Sequence, residues 1–423
     1  MPTHDDAEPQ FVVFNPGTHP APKWVAAEFA RRGELAAYFT GFGLSRDEFE
    51  RVSRLPIGRA LRAALRARTL PPGIEAHQVK RGLVVLDLCA VATLRLGNGA
   101  LTRRLLDARN RFLARRLVTW LRRRQVAGVL YPTGTRSGLH SSLNGVKTVL
   151  YTPLPRARFV RELLREEAQT NPRWAQFLET TPDSAVNAED EEVSSASIIL
   201  ANSSFTARSF SELKPPPRTV VVPLSSDAEA VRHGARTAGG NGPRDGDSPT
   251  GFRRLCYVGQ ISQRKGLSYL FDALAGQDDV ELTLIGADPL GMARELRMQY
   301  PSVRATFAGP LPQPRVWAVL ATSDALVFPS LVEGFGNVIN ESIALGVPVL
   351  TTERTGAPDI PDFPHRGLVL RAGDVEALRH AIAGVERRDR RGPASENDEC
   401  ASESNGGWTR YAGEAVDLIV DAM

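Results

Sequence analysis

Two kinds of hydrophobic pattern alternate along this chain. Phe11-Val-Val-Phe-Asn15, Leu35 to Thr40, Val126 to Tyr131, Lys147 to Tyr151, Ile198 to Ala201 and Val220 to Val222 are short apolar runs of the kind that form strands buried on both faces. Between them the spacing turns helical: Lys23 to Arg32, Arg51 to Arg68 (through Leu55, Leu61 and Leu65), Leu101 to Arg124 and Phe205 to Leu213. The alternation resumes with strands at Leu255–Gly259, Leu282–Gly286, Asp324–Pro329 and Val347–Thr352, and with helices at Leu267–Leu274 and Asn337–Leu345. An amphipathic helix from Trp408 through Ala422 ends the chain. Strands that alternate with helices predict an α/β fold of doubly wound parallel sheets.

With 423 residues the chain is too long for one ordinary core and suits two domains of about 200 residues each. Two stretches interrupt the pattern. Ser226 to Gly251 is rich in Gly, Asn, Asp and Pro and predicts a flexible interdomain connection; Arg387 to Gly407 is similar. The expected division is therefore 1–225, 226–251, 252–407 and a terminal helix over 408–423.

An apolar share of 42% and a charged share of 24% belong to a soluble globular protein. Cys89, Cys256 and Cys400 have no metal spacing and cannot all pair, which points to a reducing cytoplasm. Residues 1–10 are polar and acidic, unlike a signal peptide. Gly82 to Leu94 is too short for a membrane span and contains Asp87. The net charge of +4 is unevenly spread: from Arg51 to Gln125, 17 Arg and Lys80 face only Glu75, Asp87 and Asp107, an excess of 18 − 3 = +15. Such a basic half suits an anionic membrane surface or a lipid-linked phosphate acceptor, or is simply a solvated arginine-rich surface. Nucleic acid is not expected, since neither aromatic-rich strands nor zinc spacing accompanies the charge.

The most informative chemistry lies between Phe328 and Ile360. Glu333 and Glu341 stand seven residues apart around Gly334 and Gly336, on a strand-loop-helix-strand unit. A glycine loop that opens a helix offers free N–H groups and the positive dipole end to a diphosphate. Both glycines would let the backbone approach a ligand. Eight helical steps at about 1.5 Å span roughly 12 Å, so two carboxylates could bracket a nucleotide sugar; alternatively Glu333 favours the dipole and Glu341 is a solvated face residue.

This region resembles the family-4 retaining glycosyltransferases, the GT-B group with a Glu-x7-Glu motif. The resemblance extends over residues 254–386. It takes in Leu255-Cys-Tyr-Val-Gly259, the loop Gln260-Ile-Ser-Gln-Arg-Lys-Gly266, the base-lining segment Ala305 to Leu311 and the closing strand within Gly367 to Asp374. It implies two Rossmann-like domains facing each other across a cleft, with the C-terminal helix returning to pack on the N-terminal acceptor domain. It also implies transfer of a sugar, with retention, from a nucleotide-diphosphate sugar to an acceptor hydroxyl. Neither metal nor cofactor is expected; Asp245-Gly-Asp247 falls in the connection and is read as coincidence. The acceptor is open among lipid-linked, polysaccharide and small molecules, as in cell-envelope, glycolipid or secondary-metabolite glycosylation, and the protein is expected in the cytoplasm or at the membrane's inner face.

By that resemblance Lys265 is the diphosphate cation, the alternative being a surface lysine. Arg264 assists where Gln260 replaces the family's usual arginine, and Glu333 with the amides of Phe335 and Gly336 grips the donor sugar. Glu341 holds the ribose, Leu311 meets the base, Asn337 touches phosphate or caps the helix, and Gly259 lies beside them. On the acceptor side, His19 and Arg136 would face the cleft. His140 lies slightly beyond the place of the family's loop histidine. Gln260 and that displaced histidine leave room for a non-catalytic sugar-nucleotide-binding subunit, and another GT-B enzyme such as an epimerase is the remaining alternative.

Overall fold

A computed structural model describes residues 10–239, 251–388 and 407–423, apart from positions 18, 56–57, 59–61, 63–64, 67, 96–98, 136–137, 144 and 362. Two parallel sheets carry the fold. The first contains β1 (Phe11–Asn15), β2 (Leu35–Thr40), β3 (Val79–Arg81), β4 (Gly128–Pro132), β5 (Thr148–Thr152), β6 (Ile198–Ala201) and β7 (Arg218–Val221), in the order β3-β2-β1-β4-β5-β6-β7. The second contains β8 (Arg253–Val258), β9 (Val280–Ile285), β10 (Arg304–Gly309), β11 (Ala325–Phe328), β12 (Val349–Thr352) and β13 (Gly367–Leu370), in the order β10-β9-β8-β11-β12-β13. This is the α/β, doubly wound class expected from the hydrophobic pattern.

Strands β1, β4, β5 and β6 are buried along their whole length. Along β1, Phe11 and Val13 enter one core while Val12 and Phe14 enter the other, so the sheet is covered on both faces. In each sheet the strand order reverses once, between β1 and β4 and between β8 and β11. The crevice beyond the carboxyl ends of strands at such a reversal is where open α/β sheets take their ligands.

The last helix, Gly407–Ala422, crosses back to the first sheet. Tyr411, Ala415, Val416 and Ile419 join the core that holds Phe11, Val25 and Phe29. Arg32 pairs with Asp417 at 2.6 Å on its edge.

Several elements differ from the sequence reading. A helix forms at Arg46–Ser53, started by a Ser45/Glu48 capping box, and overlaps only the first residues of the helix expected over Arg51–Arg68. Within that expected span Arg62, Leu65 and Arg66 are helical, and Arg62 N–H donates to the Gly58 carbonyl at 3.1 Å. The helix expected over Phe205–Leu213 ends at Arg208. Part of the supposed connection is ordered: Ala228–Ala238 is a helix capped by Asp227, with Val231 and Ala235 in the second domain's core. Residues 240–250, including Asp245 and Asp247, lie outside the described residues. Gly82 to Leu94, considered above only as a membrane span, contains most of the helix Val84–Arg95. It packs against Gly99–Leu121 through the buried Asp87–Arg109 pair at 2.5 Å.

The stretch between β5 and β6 holds two helices, Ala157–Thr170 and Asp183–Ser195, joined through a 3-10 turn at Pro172–Phe177. Trp174 and Phe177 of that turn are buried in the second domain's core, with Trp174 stacked on Tyr300 at 6.5 Å. A boundary at residue 225 therefore does not separate the two cores, because the apolar cover for this aromatic pair comes from the far side of it.

Candidate active site

The loop after β8 and the loop after β11 meet at the reversal of the second sheet. From the first comes the short turn Gln263–Lys265, from the second Glu333. Lys265 Nζ donates to Glu333 Oε2 and lies over the Phe328 ring, 5.1 Å from its centroid. The Lys265 side chain is only 9% exposed and Glu333 12%. Burial, helped by the Arg264 cation, pushes the Lys265 pKa well below its ordinary value. Arg264 Nη1 donates to the Val332 carbonyl at 2.8 Å and stands 4.0 Å from Glu333 Oε2. Lys265, Arg264 and Glu333, three of the residues singled out in the sequence, thus form one contiguous charge cluster. Gln260 adjoins it through a partner absent from the sequence reading, Glu179, which accepts from Gln260 Nε2 at 2.9 Å and from Arg264 Nε.

The helix Asn337–Ala344 starts beside this cluster without a side-chain cap. Its first N–H groups therefore have no side-chain acceptor and its positive end faces the loop. Gly336 holds φ of +89° at the N-cap, where any other residue would be strained. Gly334 has a different reason. A Cβ there would come within 1.8 Å of the Pro153 carbonyl oxygen, so the space above this glycine is filled by the first domain and not by a ligand. The Gly334 carbonyl accepts from Ser203 Oγ and from Thr206 Oγ1 at 3.2 Å. Ser204 N–H donates to Asp359 Oδ2 at 2.8 Å across the same seam.

Phe335 is buried, Asn337 is exposed, and Leu311 is partly buried against the second core. Glu341 is half-buried, which raises its pKa, and Gln313 Nε2 donates to both its oxygens at 2.9 Å. A polar residue on the neighbouring helix thus holds this carboxylate. Among the described residues no group of three or more His, Cys, Asp or Glu side chains is arranged to hold a metal.

On the first sheet, the loops after β1 and β4 lie at the reversal. His19, at the start of the helix Pro20–Arg31, is open to solvent, and the protein around its ring lowers its pKa. It stands edge-on to Tyr151 at 6.4 Å between ring centroids. Arg136 lies outside the described residues. His140 sits in the short turn His140–Ser142, with Nε2 3.7 Å from Glu191 on the helix Asp183–Ser195. That helix also carries Glu192, which accepts from Gly134 N–H at 2.9 Å, and Glu189, which accepts from Ala157 N–H at 2.7 Å. Desolvation raises both carboxyls to about 7.

Residues 252–386 match the family model described as Glycosyl transferases group 1. The chain is 28% identical over 175 residues to the phosphatidyl-myo-inositol mannosyltransferase of Mycobacterium leprae, covering 39% of this chain and 46% of that protein. It is 32% identical over 146 residues to the GDP-mannose-dependent alpha-mannosyltransferase of Mycolicibacterium smegmatis, covering 33% and 37%. The match thus spans less than half the length of either relative. Sucrose-phosphate synthase from Thermosynechococcus elongatus superposes over 97% of this chain and 98% of its own, with a TM-score of 0.59 at 16% identity. Anabaena HepE in complex with UDP covers 97% and 100%, with a TM-score of 0.54 at 13% identity. The fold is that of the GT-B glycosyltransferases. Over residues 252–386 the chain is similar to the group 1 glycosyl transferases.

The raised carboxyls give a pH dependence of known sign. Glu189 and Glu192 bind protons more tightly folded, at about 7, than at their ordinary 4.5. Their contribution to stability is fully present below about 4.5 and is lost as pH rises through about 7. Thermal midpoints measured from pH 5 to pH 8 should fall less in Glu189→Gln/Glu192→Gln than in the native chain. Parallel profiles would show that neither group titrates in this window.

Proposed function

We propose that the protein is a retaining glycosyltransferase that moves a sugar from a nucleotide-diphosphate sugar to an acceptor hydroxyl without a metal ion. The observation that carries this reading is the convergence of Lys265, Arg264 and Glu333 beside an uncapped helix N-terminus at the sheet reversal. Cleaving the anomeric C–O bond leaves negative charge on the departing diphosphate. A buried ammonium and a row of free N–H groups would stabilise that charge without reorganising at the moment of reaction. An incoming diphosphate would also favour the charged form of Lys265, opposing the effect of burial. Glu333 would then turn to the donor sugar's hydroxyls, and Glu341, steadied by Gln313, to the ribose. Retention follows the resemblance of the Glu-x7-Glu unit, and the acceptor hydroxyl would approach from the loops around His19 and Thr133 to Thr135.

A lipid-linked acceptor at an anionic membrane is the partner that the surface favours, and the names of relatives such as the Mycobacterium leprae enzyme point the same way. Among the described residues no helix is long and apolar enough to cross a membrane. The hairpin of helices Val84–Arg95 and Gly99–Leu121 nevertheless exposes Leu83 (46%), Val85 (66%), Leu88 (53%) and Leu101 (41%). Exposed Arg103, Arg104, Arg111, Arg115 and Arg116 accompany them. Asn110, buried in the same hairpin, donates to the Thr135 carbonyl at 2.6 Å, which ties the hairpin to the loop after β4. Apolar side chains flanked by arginines suit the headgroup boundary of anionic lipids.

Incubating the purified protein with UDP-, GDP- and ADP-sugars and lipid extracts should release nucleoside diphosphate, with chelator present or absent. Lys265→Ala is expected to lower that turnover about a hundredfold or more while folding survives. Near-normal turnover in the variant would remove Lys265 from the mechanism. Co-sedimentation should be strong with vesicles containing phosphatidylserine, should weaken steeply with salt, and should drop in Val85→Asp/Leu88→Asp. Equal binding to neutral vesicles would eliminate electrostatics as its cause.

A further inference from the structure

We infer that Glu179 is a positioning residue that holds Arg264 ready for the donor's diphosphate; this rests on the reading of the Lys265–Glu333 cluster as the donor site. Glu179 belongs to the sequence of the first half of the chain, yet the residues just before it are anchored in the second domain. Just before it, Trp174 and Phe177 are buried in that domain's core. Asn171 Nδ2 donates to Ser268 Oγ at 3.1 Å, and Arg173 pairs with Glu295 at 3.1 Å. Glu167 accepts from Gln263 Nε2 and from the Tyr269 hydroxyl, both at 2.8 Å. The segment is thereby tied to the same loop and helix, residues 260–274, that present Arg264 and Lys265.

The Glu179 carboxylate divides its oxygens between two residues of that loop. One takes Gln260 Nε2 at 2.9 Å and the other takes Arg264 Nε. With the Nε edge held, Nη1 reaches the Val332 carbonyl at 2.8 Å and comes to rest 4.0 Å from Glu333 Oε2. The guanidinium is fixed from both sides beside the Lys265 ammonium. An arginine side chain is rich in rotamers, and fixing it beforehand removes the cost of ordering it from ligand binding. Gln260, neutral and bonded to the same carboxylate, leaves Arg264 as the guanidinium of this loop.

If Glu179 were only a stitch between two surfaces, its loss would lower stability and leave diphosphate affinity alone. If it competed with the ligand for Arg264, its loss would tighten binding. Titration calorimetry with UDP and GDP, on full-length native protein and on Glu179→Gln, Glu179→Asp and Glu179→Ala, separates these cases. The expected result is on the order of tenfold weaker binding in Glu179→Gln and Glu179→Ala, partly restored in Glu179→Asp, at thermal midpoints that confirm folding. Adding Glu179→Ala to Arg264→Ala should weaken binding no further, because the effect runs through Arg264. Unchanged or tighter binding in the folded Glu179→Gln protein, or full additivity with Arg264→Ala, would overturn the inference while leaving the donor site intact. If the native protein bound neither nucleoside diphosphate nor any nucleotide sugar, the donor-site reading would fall and this inference with it.

Discussion

A lysine that is nearly buried must find a countercharge or lose its proton, and the arrangement around Lys265 follows from that requirement. Glu333 supplies the countercharge, Arg264 adds a second cation, and Glu179 offsets it. Two carboxylates thus sit against two basic side chains. Burying such a cluster contributes little net stability compared with apolar residues of the same volume. Its persistence at the sheet reversal, where strand ends leave a crevice, makes sense if an anionic ligand completes it.

The seam between the domains is built from other material. Gly334 lies against the Pro153 carbonyl, and Ser203, Ser204 and Thr206 reach over to the Gly334 carbonyl and Asp359. These are short polar bonds, each of modest net worth. The glycine loop that carries Glu333 therefore also touches the first domain. A shift of one domain on the other would be felt at Glu333 directly.

The parallel sheets were legible in the sequence because strands buried on both faces read as unbroken apolar runs. The Lys265–Glu333 contact joins two motifs, each of which was visible within a short stretch of chain. Glu179, Gln313 and the serines at the seam were not. Glu179 stands 85 residues from Arg264, and Ser203 stands 131 from Gly334, so no local spacing records those contacts. Phe159, Val160, Leu163 and Leu164 do show helical spacing ahead of Glu179, a signal that was available. The connection was misjudged because glycine-rich neighbours dominated its composition and masked the helix Ala228–Ala238. Gly334 was read as making room for a ligand, whereas a carbonyl of the other domain occupies that space.

The most direct test is where a diphosphate binds. A crystal structure of the protein grown with UDP or GDP should show pyrophosphate oxygens in contact with Lys265 Nζ and with the N–H groups that open the helix Asn337–Ala344, and the Lys265–Glu333 contact opened. A nucleotide bound elsewhere, with that contact still closed, would contradict the donor-site reading.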